Sequence, residues 1–72
     1  MNTMTIQQAR QKMHAAKSDC EIGRIVDQIL EEYGEHPDPS LSFAAIADRL
    51  EPTKPKLSSV LYFAEKRWFE LA

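Results

Sequence analysis

Between Ile46 and Leu61 the chain reads IADRLEPTKPKLSSVL, and the two prolines in that run limit what it can fold into. Pro52 disfavours the α region at Glu51, so a helix entering from Phe43 is expected to stop at Leu50 or Glu51. Pro55 has no N–H and suits only a first helical turn. A second helix is therefore expected from about Lys56, with Thr53 as its natural cap. Ser42 can cap the earlier helix, and Leu41 with Ile46 fits a hydrophobic staple across that cap. Phe43, Ile46, Ala47 and Leu50 then face inward. In the later helix Leu57, Val60, Leu61, Ala64, Trp68 and Leu71 form a stripe of spacing 3-1-3-4-3, which is helical. The small Ala47 falls where two crossing helices must approach closely.

Two more helices precede this pair. Ile6, Ala9, Met13 and Ala16 lie on one stripe of a helix expected over 5–17, capped by Thr5 or Thr3. The stripe is thin, so that helix is expected to be held weakly. Ile22, Ile25, Val26, Ile29, Leu30 and Tyr33 mark a stronger one over 19–33, capped by Ser18 or Asp19. Gly34 stands where a left-handed residue closes a helix. Pro37 and Pro39 make the next segment a connector. Nothing reads as a strand, because no pair of β-branched runs flanks a hairpin turn. The expected fold is a small all-α domain of four helices, at about 5–17, 19–33, 43–50 and 56–71.

The chain has 72 residues, enough for one domain. A domain of this size buries only about 60% of the surface that its unfolded chain exposes, and small helical domains often compensate by dimerising. Cys20 is the one cysteine, so no internal disulfide is available. The first residues lack the apolar core of a signal peptide, and no stretch approaches the ~20 apolar residues of a membrane span. A soluble, cytoplasmic protein is the expectation. Net charge is −2, which argues against a nonspecific nucleic-acid binder. The charge is unevenly spread, however. Residues 1–18 carry +3, residues 19–51 carry −7 and residues 52–72 carry +2.

In the run from Leu41 to Trp68, the positions of Ile46, Ala47, Leu50, Thr53, Leu57, Ser58 and Leu61 resemble the bacterial helix-turn-helix pattern. Ala64, Glu65, Lys66 and Arg67 resemble the Leu-Glu-Lys-Arg close of a winged-helix recognition helix. The resemblance is to a superfamily, and it implies double-stranded DNA binding by a small transcriptional regulator of bacterial or phage type, as a homodimer. The 56–71 helix would be the recognition helix. Two features depart from the pattern. Glu51 and Pro52 replace the turn glycine that supplies φ > 0, so a wider, more extended turn is expected. Only Phe69, Glu70, Leu71 and Ala72 follow Trp68, which leaves no room for a wing within this sequence. The candidate DNA-contacting residues are Thr53, Lys54, Lys56, Ser58, Ser59, Tyr62 and Lys66. Lysines and hydroxyls near a helix start suit phosphate contacts. Base discrimination draws on Arg, Asn or Gln, and this face has none. Arg10 and the glutamines of the first helix read as a solvated face.

A second reading comes from the aromatics outside the main stripe. Tyr62, Phe63 and Phe69 would present an anchor surface to a protein partner. The acidic patch of Asp27, Glu31, Glu32 and Glu35 would add charge to it, with Glu31 and Glu32 at its centre, or mimic a phosphate row. The protein would then be a phage-type inhibitor, antitoxin-like module or adaptor. No enzyme is expected, since no nucleophile–base pair or Gly-rich phosphate loop is present. His14, Cys20 and His36 are too few and too scattered for a zinc site. No metal or cofactor is expected.

Overall fold

The computed structural model describes residues 4–72. Four helices follow one another: α1 Ile6–Ala15, α2 Asp19–Glu32, α3 Phe43–Leu50 and α4 Pro55–Leu71. The described residues contain no strand, and the all-α fold is as expected. None of the helices is long and apolar enough to cross a membrane.

Local chemistry accounts for most of the ends. The Thr5 hydroxyl accepts from the Gln8 N–H at 3.1 Å, and the Gln8 side chain accepts from the Thr5 N–H at 3.0 Å. This is a capping box; Thr3, the alternative cap, lies outside the described residues. Ser18 caps α2 through the Glu21 N–H, and Ser42 caps α3 through the Ala45 N–H. Gly34 closes α2 with φ 74°. There the Glu35 N–H reaches Leu30 O at 2.8 Å and the Gly34 N–H reaches Glu31 O at 3.0 Å. That pair of bonds is a Schellman motif, which needs a left-handed residue at Gly34.

Three expectations about ends need correction. α1 stops at Ala15 because Ala16 turns extended, at φ −64° and ψ 144°. Glu51 stays in the α region, at φ −52° and ψ −45°, and its N–H closes on Ala47 O. The helical hydrogen bond outweighs the bias imposed by Pro52, so the turn is compact rather than wide. Thr53 is not the cap of α4: the N–H groups of Thr53 and Lys54 both point back to Leu50 O, at 3.1 and 2.6 Å. The chain is still turning there, and Lys54 becomes the residue before Pro55, with no side-chain cap.

α4 touches each of the other three helices, and α3 packs on α4 alone. Leu57, Val60, Leu61 and Ala64 of α4 are buried with Ala9, Met13, Ile22, Val26, Ile29, Leu30 and Ala47. Ala47 is fully buried, as its place at the α3–α4 crossing requires. Its carbonyl also accepts the Ser58 hydroxyl at 2.7 Å. Phe43 meets Trp68 edge-on, with centroids 5.6 Å apart. Met4, outside every expected stripe, joins the core. Tyr33, expected on the inner stripe, is exposed, and so is Cys20.

α4 also closes the ends of two neighbours. The Glu65 carboxylate accepts from the Ala44 N–H in the first turn of α3, at 3.2 Å. Arg67 donates to Met13 O and Ala16 O, each at 3.1 Å, and to His14 O at 3.4 Å. These carbonyls sit at the end of α1, where a guanidinium is favoured by the helix dipole. The clamp explains how a helix with a thin apolar stripe is held.

Two outcomes follow for urea unfolding. Arg67→Met keeps the stem and removes the donors, so it should cost about 2 kcal/mol, with α1 amides losing hydrogen-exchange protection first. A Cβ on Gly23 would meet the Trp68 ring at an ordinary 3.7 Å. Gly23→Ala should therefore stabilise the protein by about 0.5–1 kcal/mol through helix propensity.

Candidate nucleic-acid interface

The molecule measures 30 × 29 × 18 Å. Its thin dimension holds about two helix layers at ~10 Å per helix, so α4 can touch three helices and still keep a strip of surface. Lys56, Ser59, Tyr62, Lys66 and Phe69 are exposed along that strip. They recur every three or four residues and so share one face. α1 borders the strip on one side and α3 on the other, through the side-chain contacts that follow.

From α1, the Arg10 Nη2 donates to Ser59 Oγ at 3.0 Å. The same guanidinium lies over the Phe63 ring, 5.3 Å from its centroid, a cation–π distance. Arg10 is thus held in place by two contacts on α4, and among the described residues the rest of its N–H fork has no other partner. Nothing local in the sequence marks this position, because Arg10 and Ser59 lie 49 residues apart. From α3, the Asp48 carboxylate accepts a hydrogen bond from the Tyr62 hydroxyl. That bond keeps the proton on the phenol, and the Tyr62 pKa is pushed up to about 12. Asp48 and Glu51 both oppose the tyrosinate form, so they place negative charge beside the strip.

The seven residues expected to contact DNA divide into groups. Lys56, Ser59, Tyr62 and Lys66 stand together on the strip, and Thr53 is exposed in the turn before it. Ser58 does not belong with them. It is 2% exposed, and its hydroxyl is committed to Ala47 O. The expected solvent face was one residue too wide, because Ser58 lies on the side that meets α3. Lys54 forms an ion pair with Glu35 and is only partly exposed. The link draws Lys54 towards the end of α2 and removes Glu35 from the acidic patch.

The rival partner surface is also divided. Phe63 is partly buried, packed against the core under Arg10. Tyr62 is 40% exposed but engaged with Asp48. Glu31 and Glu32 are exposed at the end of α2. Phe69, 71% exposed, is the freest aromatic. It rims an apolar groove of about 570 Å³ between α2, the connector, the start of α3 and the end of α4. On the rim, Ser40 donates both its hydroxyl and its N–H to Asp38, and these bonds hold the Asp38 pKa below its ordinary value. The described residues bring no three His, Cys, Asp or Glu side chains into a cluster able to hold a metal ion.

No protein-family model, curated protein or solved structure matches this chain.

Because Tyr62 gains its raised pKa from the fold, the Tyr62–Asp48 contribution to stability is present below pH 10.0 and is lost as pH rises through about 12. Spectrophotometric titration should place this phenol near 12 in the native protein. Asp48→Asn should bring it back towards 10.0; an unmoved titration would show that the bond is not formed in solution.

Proposed function

We propose that this protein binds double-stranded DNA without catalysing a reaction, as a small cytoplasmic helix-turn-helix regulator of bacterial or phage type. α4 is the recognition helix and α3 braces it from behind. The observation that carries this reading is the placement of Arg10. The strip itself has no Arg, Asn or Gln, and α1 supplies the missing guanidinium at Ser59, one turn from Lys56. An Arg fork can bind phosphate oxygens, or the O6 and N7 acceptors of a guanine. Because Arg10 is already oriented by Ser59 and Phe63, less side-chain entropy is lost on contact.

The start of α4 supports the same reading. No side chain caps it, so its first-turn N–H groups and positive dipole end are available to a phosphate. Lys56 adds a cation there, and the Thr53 hydroxyl stands two residues before Pro55. Lys54, paired with Glu35, contributes less. Lys66 lies more than two turns along and extends the strip towards Phe69. Asp48 and Glu51 oppose phosphate and keep affinity for arbitrary duplex low. An acidic protein with one compact cationic site suits selective binding better than coating of DNA.

Fluorescence anisotropy with a labelled duplex over a range of salt tests the proposal. The folded protein should bind with a salt-dependent constant. Arg10→Ala and Lys56→Ala should each weaken binding several-fold and lower the salt slope by about 1, whereas Lys54→Ala should do less. Asp48→Asn should tighten binding by removing a repelling charge. Absence of duplex binding at low salt, or salt slopes untouched by both Arg10→Ala and Lys56→Ala, would overturn the reading.

A further inference from the structure

The groove beside α4 has an apolar floor that includes Leu30, Ile46 and Trp68, and its rim carries Asp27, Asp38 and Glu65. No cation lines it. An occupant must therefore bring an apolar group with a positive charge next to it. The surface beside the groove carries that pair. Phe69 projects from the rim at 71% exposure. Lys66, three residues earlier on the same face of α4, is exposed and in no ion pair among the described residues. A knob adjacent to its own complementary hole is the arrangement that a two-fold axis satisfies, since each copy then gives and receives the same contact.

We propose that the groove is the docking site for a second copy of this chain. Phe69 of each protomer enters the groove of the other, and Lys66 of each faces the carboxylates on the other's rim. The driving force is removal of a large exposed aromatic and of the groove floor from water. Charge complementarity sets the register, because the like-charged rims repel unless a lysine comes between them. A chain of this size, with a small core, gains stability from such pairing. The contact uses the end of α4 and leaves Arg10, Lys56 and Ser59 uncovered. It does not depend on DNA binding, and its test contains no DNA.

Sedimentation equilibrium over micromolar to millimolar concentrations reads the association directly. The wild-type chain should show a monomer–dimer equilibrium that weakens with added salt. Phe69→Ser and Phe69→Asp should each weaken dimerisation at least about tenfold, with helical circular dichroism unchanged because Phe69 is exposed. Lys66→Glu should also weaken it, and Asp27→Lys added in the same chain should restore it. A wild-type monomer at millimolar concentration would overturn the proposal and leave the groove to another protein. A dimer that survives both Phe69 substitutions, or a charge swap that restores nothing, would overturn it as well.

Discussion

The packing of α4 against all three other helices is the constraint on which the rest of the structure depends. Its buried stripe supplies apolar surface to every neighbour, and its polar residues complete theirs. Ser58 bonds a carbonyl near the end of α3, Glu65 an N–H at the start of α3, and Arg67 the last carbonyls of α1. Helix ends carry unpaired backbone groups that are costly to leave unsatisfied out of water. By satisfying some of these groups and adding a second bond to others, one helix fixes the positions of two others that share little apolar surface with each other. α3 has no other helix to pack on, so its angle to α4 is set at their crossing, by Ala47 and Ser58.

This arrangement explains why the exposed strip of α4 is narrow. The buried side is held by packing, and the two borders are held by side chains crossing from α1 and α3. Arg10 and Asp48 bring opposite charges to opposite borders of the strip. Its potential therefore depends on where the neighbouring helices stand more than on the charges of α4 itself. The net charge of −2 says little about such a site, because the local field falls off within about one Debye length, ~10 Å at moderate salt.

Much of the fold was legible in the sequence because its determinants are local. Thr5, Ser18 and Ser42 cap as their chemistry predicts, and Gly34 takes the left-handed geometry that its place after Tyr33 implies. The helical stripes locate most of the core for the same reason. Local rules failed where a competing contact decided the outcome. Thr53 has the chemistry of a cap, but the bonds to Leu50 O carry the turn one residue further. Glu51 precedes a proline, but its bond to Ala47 O keeps it helical. Ser58 is polar and near the expected solvent face, and only the approach of α3 buries it.

The sequence alone determined that the chain is four helices, where three of them are capped, and which stripe of each turns inward, because periodicity and capping act within a few residues. Tertiary structure decided which charges remain free and where they meet. Lys54 is drawn to Glu35, Arg67 is committed to the end of α1, Arg10 reaches Ser59, and Phe69 is left beside an acidic groove. Each of these pairings joins residues far apart in the chain or belonging to different helices. Their formation depends on crossing angles set by packing, and no spacing in the sequence encodes them.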